Sequence, residues 1–109
     1  MSYKVVLTDK FKKQAKKLLK KYRSLKNELE DFETSLLSNP VQGTALGNNS
    51  YKIRLGVKSK GKGKSGGVRI ITFIVTDDSE IYLLTIYDKS EIENVDDKTL
   101  EKLISTIKK

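Results

Sequence analysis

Two neighbouring runs constrain this chain more than any other feature: VRIITFIVT at 68–76 and IYLLTIY at 81–87. Both are rich in β-branched and aromatic residues, and both carry apolar side chains at odd and even positions. That is the pattern of strands covered on two faces. Only residues 77–80 separate the runs, so they read as a central hairpin. Such a hairpin needs a covering layer on each side, and the rest of the chain must supply both. With 109 residues there is room for one domain, 1–109, and no second independent core.

The covering layers are legible as helices. Residues 3–7 (YKVVL) read as a short strand, after which Thr8 or Asp9 caps a helix. Phe11, Ala15, Leu18, Leu19 and Tyr22 make one apolar stripe at the helical period, opposite Lys10, Lys13, Lys16, Lys17, Lys20 and Lys21. Ser24 is a candidate second N-cap, and Leu25, Leu29, Phe32 and Leu36 continue the period as far as Asn39 and Pro40. Residues 41–50 read as a turn-rich connector. In 51–57, Tyr51, Ile53, Leu55 and Val57 point one way, while Lys52, Arg54 and Lys58 point the other. Residues 59–67 (SKGKGKSGG) read as a flexible basic loop. Last, Asp96 or Asp97 caps a helix carrying Leu100, Leu103, Ile104 and Ile107. The expected order is β-α-α-β-β-β-α. This is an α+β domain whose mainly antiparallel sheet has an N-terminal helical hairpin packed on one face, plus a short C-terminal helix.

Composition removes whole classes of chemistry. There is no Cys, hence no disulfide framework, thiolate nucleophile or iron–sulfur cluster, and no His, hence no imidazole base and no ordinary zinc site. No apolar run approaches membrane-spanning length, and the absence of Cys fits the cytoplasmic location expected here. Any acid or base must be Lys, Arg, Tyr, Asp or Glu. The net charge of +8 is strongly segregated: +9 over 1–27, −4 over 28–50, +7 over 51–69, −7 over 70–97 and +3 over 98–109. Such alternation can gather the basic segments into a strong local field for a polyanion. On 1–27 alone, a solvated lysine face that aids solubility is the favoured reading.

Gly63, Lys64 and Ser65 superficially end a phosphate-binding P-loop, but Lys58 stands where its first glycine belongs and a strand follows in place of a helix. A different constellation is better supported. Lys52, Arg54 and Lys58 share a strand face, and Lys60, Lys62 and Lys64 alternate with glycines that let backbone amides approach an anion. Arg69 begins an otherwise apolar strand; it either faces an open groove or binds an internal carboxylate. Tyr87 shares strand parity with Ile81, Leu83 and Thr85, so it reads either as a core-edge aromatic with its hydroxyl at the surface or, with Lys89, as a phenol and an ammonium beside the basic loop. Tyr3, Tyr22, Tyr51 and Tyr82 are assigned to packing.

The element order, YKIRLGVKSKGKGKSGGVRII at 51–71 and YLLTIYDKSE at 82–91 together resemble the RelE/ParE superfamily of bacterial toxins, in its HigB/RelE-like branch. The likeness is dense between 51 and 93 and topological before 50. The resemblance implies the toxin of a type II toxin–antitoxin system. Such a toxin is an endoribonuclease that cleaves mRNA, usually in the ribosomal A site, without metal or cofactor, and is held inactive by a cognate antitoxin protein. By motif, Lys52 and Arg54 match the family's basic pair, Arg69 its phosphate-clamping arginine, and Lys89 the basic position after the last strand. Some relatives place Arg directly after that lysine and a catalytic Tyr shortly beyond. Here Ser90 follows, and 92–97 contains no Tyr. Either Tyr87 substitutes, or the acid–base arrangement differs, or activity is weak.

Cleavage by the RNA's own 2′-hydroxyl needs a base, an acid for the departing 5′-oxygen and cations around the phosphorane. Crowded lysines depress one another's pKa, which makes Lys58 and Lys60 candidate proton carriers. Arg69 suits phosphate stabilisation, and Tyr87 is the available phenol. Two other readings compete. A ParE-like toxin inhibits DNA gyrase by binding alone and has no need of so dense a phosphate-binding cluster. A non-catalytic RNA- or ribosome-binding module shows steep salt dependence and no cleavage.

Overall fold

The computed structural model describes residues 3–60, 67–91 and 95–107. Its elements are β1 (Lys4–Leu7), α1 (Asp9–Lys21), α2 (Leu25–Ser38), β2 (Thr44–Gly47), β3 (Ser50–Leu55), a 3₁₀ turn (Lys58–Lys60), β4 (Val68–Val75), β5 (Glu80–Asp88) and α3 (Asp97–Ser105). The five strands form one sheet in the order β1-β5-β4-β3-β2. β1 runs parallel to β5, and every other pairing is antiparallel.

The doubly apolar hairpin occupies the centre of the sheet, as its pattern demands. On one face Phe11, Ala15 and Leu18 of α1 and Leu25, Leu29, Phe32 and Leu36 of α2 pack on Ile53, Val68, Ile70, Ile81, Leu83 and Ile86. On the other, Leu100, Leu103 and Ile104 of α3 pack on Ile71, Phe73, Leu84 and Tyr87. The helical hairpin and the C-terminal helix therefore take opposite faces of an α+β domain. Thr8 caps α1, its hydroxyl accepting from the Phe11 amide at 3.2 Å and donating to the Leu83 carbonyl at 2.9 Å. Asp96 caps α3 by accepting from the Thr99 amide at 2.8 Å.

The structure corrects the expected outline at several points. The 41–50 connector contains β2, joined to β3 by Asn48 and Asn49, whose φ values of 53° and 61° suit a two-residue hairpin turn. The strand was hidden because it has only four residues and is mostly exposed at the sheet edge. Residues 58–60 leave the expected basic loop and form the 3₁₀ turn. Leu19 is 38% exposed, so the buried stripe of α1 is narrower than its apolar pattern. Ser24 is the N-cap residue of α2 as expected, but it makes no side-chain capping bond; its hydroxyl donates to Glu28 Oε1 at 2.9 Å instead.

The most consequential correction lies in β5. Ile71 pairs with Thr85 and Thr72 with Leu83, so Leu84 is passed over at a bulge. Beyond a bulge the alternation of faces reverses. Tyr87 consequently joins Leu84 and Tyr82 on the α3 side, away from Ile81 and Leu83, and its hydroxyl is buried rather than at the surface.

Gly67 brings the chain back into β4 so tightly that a Cβ there would lie 2.0 Å from the Leu55 carbonyl oxygen. Backbone cannot yield as a flexible side chain does. Gly67→Ala is therefore expected to lower unfolding free energy by about 1–3 kcal/mol, measured by urea denaturation.

Candidate active site

Strand register assembles one row across three strands: Arg54 of β3 lies opposite Arg69 of β4, and Arg69 lies opposite Tyr87 of β5. Residues directly opposite in antiparallel strands share a face, with Cβ atoms about 5 Å apart. Lys52, opposite Ile71, stands on the same face one position along the alternation. The row is graded in exposure: Arg54 is exposed and Lys52 half-buried, while Arg69 and Tyr87 are 3% exposed. The Arg69 guanidinium donates to the Val68 carbonyl at 3.3 Å. Burial and the Arg54 charge pull its pKa below the ordinary arginine value, against the pull of the Tyr87 phenol. Burial pushes the Tyr87 phenol above its ordinary 10.0, with the Arg69 charge opposing. The Tyr87 hydroxyl has no hydrogen-bond partner among the described residues.

A second constellation lies on the hairpin side, around a residue the sequence reading passed over. The Asp88 carboxylate is fully buried and accepts from Lys60 Nζ at 2.5 Å, from the Ser90 amide at 2.9 Å and from the Ser90 hydroxyl at 2.8 Å. It also accepts from the Tyr22 hydroxyl, and Lys21 Nζ stands 3.9 Å away. Burial alone pushes this carboxyl up, but the bonds from Lys60, Tyr22 and Ser90 outweigh it and hold the group well below the carboxylate range. Tyr22, expected merely to pack, is flanked by two ammonium groups, with Lys60 and Lys21 at 5.1 and 5.3 Å from its ring centre. The Asp-x-Ser spacing of 88–90 was the available sequence signal, since Asp side chains commonly accept from the amide two residues on.

The candidate residues thus divide. Lys52, Arg54, Arg69 and Tyr87 are gathered on one sheet face. Lys60 turns to the hairpin side and its side chain is 9% exposed, so its charge is committed to Asp88. Lys58 is exposed at the start of the 3₁₀ turn, and Lys89 is half-buried just after β5. Lys62 and Lys64 lie outside the described residues.

Comparison with known proteins decides the family. Residues 3–109 match the model for the RelE toxin of the RelE/RelB toxin–antitoxin system. The chain belongs to the RelE toxin family. Among solved structures, this RelE-family chain is similar to a double arginine-to-alanine mutant of the E. coli RelE toxin in the free state. The two share a TM-score of 0.62 at 14% identity, over 98% of this chain and 99% of that one. It is similar also to the isolated E. coli RelE toxin, with TM-score 0.62 at 15% identity, over 96% of this chain and 98% of the other. At such identity the likeness is one of fold. No helix among the described residues is long and apolar enough to cross a membrane.

The low folded-state pKa of Asp88 stabilises the protein above the ordinary aspartate value of 3.8, and this contribution is lost as pH falls below it. Asp88→Asn in this RelE-family toxin should lower stability at neutral pH by about 2–4 kcal/mol. It should also flatten the acid limb of the stability curve below about pH 4. Denaturant titrations from pH 7 to pH 2 test both.

Proposed function

We propose that this toxin is an endoribonuclease that cleaves mRNA on the translating ribosome, without metal or cofactor, in the cytoplasm. The supporting observation is the row Arg54, Arg69 and Tyr87, with Lys52 beside it. It places two guanidiniums and a phenol on one face of a rigid central sheet. Two like charges directly opposite across a strand pair repel, and a phosphate between them relieves that repulsion.

In this reading the scissile phosphate meets Arg54 at the surface, with Arg69 behind it, and the two cations stabilise the phosphorane as charge develops. Lys52, Lys62 and Lys64 hold flanking phosphates. Tyr87, whose raised pKa keeps it protonated at neutral pH, donates the proton to the departing 5′-oxygen, a step that requires bound RNA to reach the buried hydroxyl beside Arg69. Lys58 or Lys89 takes the 2′-hydroxyl proton. Lys60, already engaged by Asp88, serves the site through its ion pair. A cognate antitoxin neutralises the toxin by covering the cationic face with acidic side chains.

Inducible expression in a bacterium, with mapping of 5′ ends on translated and untranslated transcripts, is the direct test. Growth arrest with new 5′ ends on translated messages is expected. Arrest with inhibited supercoiling and intact mRNA would point to gyrase instead. Arg69→Ala, verified as folded, should lower the cleavage rate roughly hundredfold or more. Undiminished cleavage by that variant would remove the central assignment.

Tyr87→Phe should slow cleavage roughly hundredfold. An acid must be protonated to act, so the wild-type rate should fall at alkaline pH only above pH 10, the ordinary phenol value that burial raises here. The variant should lack that fall. Rate–pH profiles of the two proteins settle whether Tyr87 is the acid.

A further inference from the structure

The basic loop between the 3₁₀ turn and β4 carries Lys62 and Lys64, and both its feet are held by groups that lie off it. On the outgoing foot, the Lys58 amide donates to Glu28 Oε2 at 2.7 Å, and the Ser59 amide donates to Ser24 Oγ at 3.0 Å. Beside them the Lys60 ammonium is locked on Asp88 Oδ1. On the returning foot, the Lys89 amide donates to the Gly67 carbonyl at 3.3 Å. Residues 88 and 89 are chain neighbours, so both feet converge on the end of β5.

We infer that Asp88 is a positioning residue for the basic loop: its side chain grips the outgoing foot through Lys60 while its backbone leads directly into Lys89, which grips the returning foot. A solvated surface lysine would give no such fixation, because exposed ion pairs contribute little. This pair differs, since the carboxylate is fully buried and Lys60 nearly so. Tyr22 and Ser90 complete the hydrogen bonding that a buried carboxylate requires. Tyr22 closes α1, so the same carboxylate ties the loop to the helical hairpin. A phosphate-binding loop so anchored meets RNA without first ordering its ends, a saving in conformational entropy that appears in the catalytic rate.

The inference rests on the ribonuclease reading, and its test separates the two. Asp88→Asn, Lys60→Gln and the double variant are compared with wild type in two measurements. The first is cleavage of a translated mRNA, resolved into kcat and KM. The second is amide hydrogen exchange at Ser59, Lys60 and Lys89, with Ile70 and Ile86 as core references. Each single variant should lower kcat about tenfold with the double variant no worse, because both break one link. The foot amides, which exchange by local opening, should do so about tenfold faster, while Ile70 and Ile86 report the loss of global stability separately. A double variant whose loss is the product of the two single losses would make Lys60 a chemical participant and overturn the inference. Unchanged foot exchange in the variants would overturn it as well, whatever happens to cleavage. A wild-type protein that cleaves no RNA overturns the ribonuclease reading instead, and exchange still judges the anchoring. If Asp88→Asn does not fold, Tyr22→Phe, which removes one donor from the same carboxylate, replaces it with the same expectations.

Discussion

One bulged residue in β5 governs the rest of this molecule. Because Leu84 is passed over in the pairing with β4, the last turn of alternation in β5 is inverted. Tyr87 then faces the α3 side, where it completes the row with Arg69 and Arg54, and Asp88 faces the helical hairpin, where Lys60 and Tyr22 meet it. Without the bulge, a carboxylate would be buried beneath α3 and the phenol would lie under α1. Bulges are common beside active sites for this reason: they re-aim side chains without changing a strand's position in the sheet.

The two constellations divide the electrostatic labour. On one face like charges are brought together, with Arg54 pressing on the affinity of Arg69 for its proton; such a face is suited to an anion from outside. On the other, opposite charges are matched and buried around Asp88. The segregation of charge along the chain prepares this arrangement. The +7 segment at 51–69 contributes Lys52, Arg54 and Arg69 to the first face and Lys60 to the second, while the acidic segment after it contributes Asp88.

Much of this was legible in the sequence. Strands apolar on both faces announced the central hairpin, helical periodicity announced the three helices, and alternation in 51–57 put Lys52 and Arg54 on one side. The caps were legible to within one residue, as Thr8 or Asp9 and Asp96 or Asp97, and the structure selects Thr8 and Asp96. The bulge was not legible for the same reason the hairpin was: in IYLLTIY both faces are apolar, so hydrophobicity carries no information about parity. Nor could spacing join Asp88 to Tyr22 and Lys60, which lie 66 and 28 residues away and meet only through tertiary packing. Strand β2 escaped because edge strands need little burial and therefore leave little pattern.

The parallel pairing of β1 with β5 has a consequence for how the chain is made. Lys4 pairs with Glu80 and Leu7 with Leu83, so the first strand has no partner until three-quarters of the protein has been synthesised. Contacts that close so long a stretch of chain form late, because the entropy of closure must be met before packing rewards it. The row of Arg54, Arg69 and Tyr87 needs β5 as well. During its own translation the nascent chain therefore carries the lysines before it carries the row, which exists only once β5 has been made and the sheet has closed.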